Sequence, residues 1–114
     1  MNLPELLNRI RAFRDERDWA QFHNPKDMAA ALAIEAAELQ EIFLWKTGSE
    51  IEATARKKRA DIEDEVADIA VYLFEFADNQ DIDIEAAILA KLEKNAVKYP
   101  VEKARGSSAK YTDL

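Results

Sequence analysis

Between Leu32 and Tyr72 the sequence sets two acidic pairs inside helical apolar stripes, and this combination restricts the fold more than any other feature. The pairs are Glu35-x-x-Glu38 and Glu65-x-x-Asp68. At i,i+3 spacing on a helix, two carboxylates share one face with their Cβ atoms roughly 5–6 Å apart. On a wheel of 100° per residue, Met28, Leu32, Leu39, Ile42 and Phe43 form one apolar stripe, with Glu35 near its centre and Glu38 at its edge beside Trp45. A second stripe runs through Ile62, Val66, Ile69, Leu73, Phe76 and Ala77, flanked by Glu65, Asp68 and Tyr72. Four carboxylates aimed at a core need compensation, because an unpaired buried charge is costly. A divalent cation that prefers oxygen ligands supplies it. The plain alternative is an acidic surface that merely flanks a core, since 23 of the 114 residues are acidic.

The rest of the chain reads as helix. Only 2 Gly and 3 Pro interrupt a chain that is 48% apolar and 34% charged, without strand-type alternation. The spacing predicts a first helix over Leu3–Trp19, with Pro4 in its first turn and Leu3, Leu6, Leu7, Ile10 and Phe13 as its packing face. A loop from Ala20 to Pro25 follows, with Asn24 or Asp27 capping a second helix that runs to Lys46 and stops at Thr47–Gly48. The far side of that helix carries Ala30, Ala33, Ala37 and Leu44, which suggests burial on two faces. Ser49–Arg59 has no clear stripe and reads as a short helix or mobile connection, its Lys57–Lys58–Arg59 run as a solvated one. A third helix covers Asp61–Asn79, with Val71 and Phe74 opposite the main stripe: an oligomer contact or partial cover by another segment. After Asp81–Ile82–Asp83 a fourth helix runs to about Lys98, ending before Pro100. The expected architecture is an all-α four-helix bundle in one domain, residues 1–114, with a flexible polar tail over 101–114.

Exclusions narrow the function. A net charge of −7 disfavours the broad phosphate-binding surface of a nucleic-acid binder. No apolar run approaches ~18 residues, and the charged, amphipathic N-terminus is no signal peptide, so an intracellular, cytoplasmic protein with no membrane or nucleic-acid polymer partner is expected. With no Cys, thiolate metal sites and disulfides are absent. An all-oxygen ligand set without a His pair points to Mg²⁺ rather than Zn²⁺. Lys91, Asn95 and Lys98 share a face with Ile84 and Ile88, and serve either salt bridges or an oligophosphate arriving with its metal. Trp19, Phe22, Trp45 and Tyr72 offer flat faces for stacking a base or for core packing. His23, the one histidine, suits capping or substrate contact better than metal ligation.

These residues resemble a known family. The stretches Arg17–His23, Glu35–Leu39, Phe43–Lys46, Asp64–Ile69 and Tyr72–Leu73 are similar to those of MazG-type nucleotide pyrophosphohydrolases, closest to the dCTP pyrophosphatase branch. Lys91, Asn95, Lys98–Pro100 and Lys110–Thr112 continue the likeness, which spans nearly the whole chain. The resemblance implies an all-α enzyme that cleaves a nucleoside triphosphate to monophosphate and pyrophosphate in nucleotide-pool cleansing. Mg²⁺ would lie on Glu35, Glu38, Glu65 and Asp68, with Glu38 and Glu35 as the catalytic pair and Glu38 the candidate base. Trp19 and Trp45 would enclose the base, with His23 and Tyr72 near the nucleotide, and Lys91, Asn95 and Lys98 on the phosphates. Homodimers or homotetramers with shared sites are implied, the Lys110–Tyr111 tail wrapping a neighbour. The connection after Gly48 is shorter than in the mammalian branch, which leaves dCTP, dUTP, dATP and phosphoribosyl-ATP open as substrates. A non-catalytic helical module binding a partner through Val71 and Phe74 is the reading from another class.

Overall fold

Capping chemistry sets most of the element boundaries. In the computed structural model, which describes all residues 1–114, six α-helices form and no strand does. They are α1 (Leu3–Glu16), α2 (Pro25–Phe43), α3 (Glu50–Lys57), α4 (Arg59–Asn79), α5 (Ile84–Lys98) and α6 (Val101–Ala104). Asn2 and Glu5 close a capping box on α1. Asn24 accepts from the Asp27 N–H at 2.9 Å, with Pro25 at the first helical position of α2. Asp83 caps α5 by accepting from the Ala86 N–H.

Helix ends departed from expectation at two places. α1 stops at Glu16, three residues early, where Asp18 turns into the left-handed region at φ 54°. α2 stops at Phe43, and Trp45 sits at φ 67°, a conformation an aromatic residue adopts at a cost. The apolar far-side pattern continued past both points, so periodicity alone overran them. Ser49–Arg59 contributes the short helix α3. The tail expected to be flexible carries α6 and a 3₁₀ turn at Tyr111–Asp113.

Residues 1–81 and 82–114 form two compact units. In the first, α4 packs on α1, α2 and α3. Arg11 and Arg14 tie α1 to α4: Arg11 Nε donates to Asp78 Oδ2 at 2.7 Å, and Arg14 Nη1 donates to Asn79 Oδ1 at 2.8 Å. Met28 and Ala77 are the buried apolar residues, and Glu75 is buried as well, at 3% exposure. The stripe expected on α4 is rotated. Val66 and Leu73 face outward while Glu65, Ile69, Tyr72 and Phe76 are half-buried. The far side of α2 is open too, with Ala30, Ala33, Ala37 and Leu44 exposed. In the second unit, the Tyr99 and Tyr111 rings meet edge-on at 6.0 Å and Lys98 Nζ lies 4.9 Å from the Tyr111 ring. No helix is long and apolar enough to cross a membrane.

Candidate active site

Helix spacing sets Glu35 beside Glu38, and the packing of α2 on α4 brings Glu65 to them. Carboxylate oxygens of Glu35, Glu38 and Glu65 all lie within 4.8 Å of one another. Asp68 stands just outside this trio and adds its field to Glu35 and Glu65. The electrostatics show the strain. Burial, then the neighbouring Glu38, pushes the Glu35 carboxyl up to about 7. Burial raises Glu65 as well, partly offset by its hydrogen bond with Glu35. Glu35 Oε2 and Glu65 Oε2 are both buried without a hydrogen-bond donor. Two orphaned carboxylate oxygens in one oxygen-only cluster suit a hard divalent cation, which would occupy the lone pairs that no donor reaches.

The cluster separates two cavities within residues 1–81. One, of about 690 Å³, is lined by Glu35, Asp68 and Tyr72 at one end and by Trp19, His23, Phe13 and Glu75 beyond them. The other, of about 700 Å³, is lined by Glu38, Glu65, Glu41, Asp61 and Asp64 and by Lys46, Lys57 and Lys58. Glu35 faces the same cavity as Asp68, and Glu38 the same one as Glu65, so α2 and α4 run antiparallel along the acidic seam. Burial and the surrounding carboxylates hold the Tyr72 phenol above its ordinary range, so it stays a hydrogen-bond donor.

Three expected groups therefore assemble on one side: Trp19, His23 and Tyr72 share a cavity with Glu35 and Asp68. Trp45 is not among them. It is 87% exposed at the end of α2, its ring turned out by the left-handed backbone. Lys91, Asn95 and Lys98 lie on α5 in the second unit, with Asn95 half-buried and both lysines exposed.

Sequence reasoning missed Glu75 and Arg14. Glu75 Oε2 lies 2.7 Å from His23 Nδ1, and its other oxygen lies 3.8 Å from Arg14 Nε. The signal was present, since Glu65, Asp68, Tyr72 and Glu75 recur every three or four residues along one face of α4. Glu75 is the chain's one buried charge. Arg14→Leu is expected to leave it unbalanced and to lower stability by about 1–3 kcal/mol, with Glu75→Gln costing less, as urea unfolding would show. Lys57 and Lys58, exposed as expected of a solvated run, also line a cavity wall shared with Glu38 and Glu65.

Known proteins share this framework. The MazG-like family pattern matches residues 30–114. Rat dCTP pyrophosphatase 1 is 41% identical over 113 residues, covering 96% of this chain and 66% of that protein. Human dCTP pyrophosphatase 1 is 40% identical with the same coverage. The chain thus spans about two thirds, 66%, of the length of these curated relatives. The crystal structure of a pyrophosphatase from Archaeoglobus fulgidus superposes with a TM-score of 0.83 at 40% identity, covering 86% of this chain and 92% of that one. With the family pattern extending over both acidic helices and α5, the chain belongs to the MazG-like family.

Proposed function

We propose that this protein is a Mg²⁺-dependent nucleoside triphosphate pyrophosphohydrolase that takes dCTP as its substrate, acting in nucleotide-pool cleansing. The carrying observation is the carboxylate cluster with two donorless buried oxygens, opening onto a cavity lined by Trp19, His23 and Tyr72. The relatives named for dCTP and for pyrophosphatase activity support the reaction and favour cytosine as the base.

Glu35, Glu38, Glu65 and Asp68 would hold the metal. A divalent cation there supplies charge neutralisation on the phosphates and a more acidic water. Hydrolysis adds water across the α–β anhydride. The bridging P–O bond breaks, the hydroxyl joins one phosphoryl group, and Glu38 accepts the water's proton. Trp19 stacks the base. Tyr72 donates from its neutral phenol. His23, held by Glu75, contacts the nucleotide. Lys91, Asn95 and Lys98 on α5 offer donors to the phosphates.

A second copy completes the picture. Trp45, exposed and turned outward, is available to a site shared between subunits, and the open apolar faces of α2, α4 and α5 call for homodimers or dimers of dimers. Each chain contributes one helical domain. The non-catalytic alternative assigns the exposed Val71 face to a protein partner.

Pyrophosphate release across the common dNTPs and NTPs, in Mg²⁺ and in EDTA, tests this directly. Mg²⁺-dependent turnover of one or two deoxynucleotides is expected. Absence of turnover on every nucleotide in Mg²⁺ would leave the acidic pairs as structural features of a binding module.

A further inference from the structure

The two cavities on either side of the acidic seam differ in chemistry, and a nucleoside triphosphate has two unlike ends. We infer that Lys46, Lys57 and Lys58 form the subsite for the pyrophosphate end of the substrate, so that the substrate spans the seam with its base on the Trp19 side. This rests on the pyrophosphohydrolase reading and assigns its direction.

Along α4 the order is fixed by helical rise. Glu75 and Tyr72 mark one cavity, Asp68 and Glu65 the seam, and Asp61 and the N-cap residue Lys58 the other cavity. At 1.5 Å per residue, Lys58 lies about 10 Å from Glu65, and Glu75 about 10 Å from Asp68. The acidic cluster thus sits midway between an aromatic end and an end that carries three lysines.

Charge partnership separates the cavities. The Trp19 cavity also contains guanidinium groups, but they are engaged: Arg14 pairs with Asp15 and Glu75, and Arg17 lies over the Phe13 ring at 3.7 Å and beside Glu16. Arg9 alone there lacks an ion pair. In the other cavity none of the three lysine ammonium groups lies in an ion pair, although five carboxylates line the same walls. Lys58 also stands at the junction of two helices, closing the C-terminus of α3 and preceding the 21-residue α4 without a side-chain cap, so the first turn of α4 is open to an anion. Aromatic side chains are absent from this cavity, which suits phosphate and not a base. Lysine serves such a leaving group as a mobile point charge.

The test is calorimetric titration of the full chain with inorganic pyrophosphate and, separately, with dCMP, both in Mg²⁺, together with turnover of the unsubstituted protein. Lys57→Ala/Lys58→Ala is expected to weaken pyrophosphate binding about tenfold or more and to leave dCMP binding within about twofold. Lys57→Arg/Lys58→Arg should restore most of the loss. Both lysines are exposed, so the variants fold, which circular dichroism verifies. Unchanged pyrophosphate affinity, or equal weakening of both ligands, overturns the subsite while turnover by the unsubstituted protein keeps the enzyme reading intact. If the unsubstituted protein neither turns over a nucleotide nor binds pyrophosphate, the enzyme reading itself has failed and the subsite goes with it.

Discussion

Glu35→Gln is expected to melt a few degrees above the unsubstituted protein in EDTA at pH 8, and to hydrolyse nucleotide on the order of 10²-fold or more slowly. The opposite signs are the diagnostic. Without metal, ionised Glu35, Glu38 and Glu65 repel one another with oxygens inside 4.8 Å, and burial deepens the penalty. Gln keeps the shape and can still donate to Glu65, as protonated Glu35 does, while removing one charge. With metal the ranking reverses: Mg²⁺ should raise the melting temperature of the unsubstituted protein and barely move that of the variant. Equal melting shifts in both proteins would remove Glu35 from the metal site.

The same carboxyl sets a pH dependence. A group ordinarily near 4.5 but raised to about 7 in the fold binds its proton more tightly folded than unfolded. Its stabilising effect is therefore complete below about 4.5 and is lost as pH rises through about 7. Glu65 is shifted in the same direction. Asp78 works the other way: its hydrogen bond to Arg11 holds it below its ordinary 3.8, so its contribution disappears on further acidification. Metal-free protein should thus be most stable between about pH 4 and 5 and weaken steadily toward pH 8, with Mg²⁺ flattening the upper limb. Melting curves in EDTA and Mg²⁺ across this range check it. A metal-free protein that gains stability from pH 5 to 8 would contradict the crowding.

Leu92→Glu is expected to convert an oligomer to monomers and to abolish most of the activity. Within a single chain the substitution is nearly silent, because Leu92 is 59% exposed, and surface changes of that kind stay within about 0.5 kcal/mol. Ile88 and Leu89 beside it are also open, and Met28 and Ala77 are the only apolar residues fully buried in a 114-residue chain. Such a surface is stable in water only when covered. If a second copy covers it, burying Leu92 contributes about 1.5–3 kcal/mol per chain, doubled across a two-fold interface. Sedimentation of the two proteins, read beside turnover, decides the matter. An oligomer untouched by Leu92→Glu would move the interface to the outward faces of α2 and α4.

Local rules made the helices and the acidic pairs legible. Asn24–Pro25 announced a helix start through cap chemistry, and i,i+3 spacing placed Glu35 beside Glu38 whatever the rest of the chain did. Those effects act within one turn of helix, so sequence contains them fully. The helix ends at Glu16 and Phe43 were hidden, since left-handed Asp18 and Trp45 depend on what the following segment packs against. Rotation of α4 about its axis was equally invisible. A wheel orders residues around a helix but does not say which neighbour each arc meets, and contacts with α1, α2 and α3 turned Glu65, Tyr72 and Glu75 inward and left Val66 and Leu73 outside. By itself, then, the sequence determined an all-helical chain with two carboxylate pairs on helical faces. Only the tertiary structure decided that the pairs meet across an antiparallel seam, because that meeting depends on the packing of α2 against α4, whose residues lie far apart in sequence.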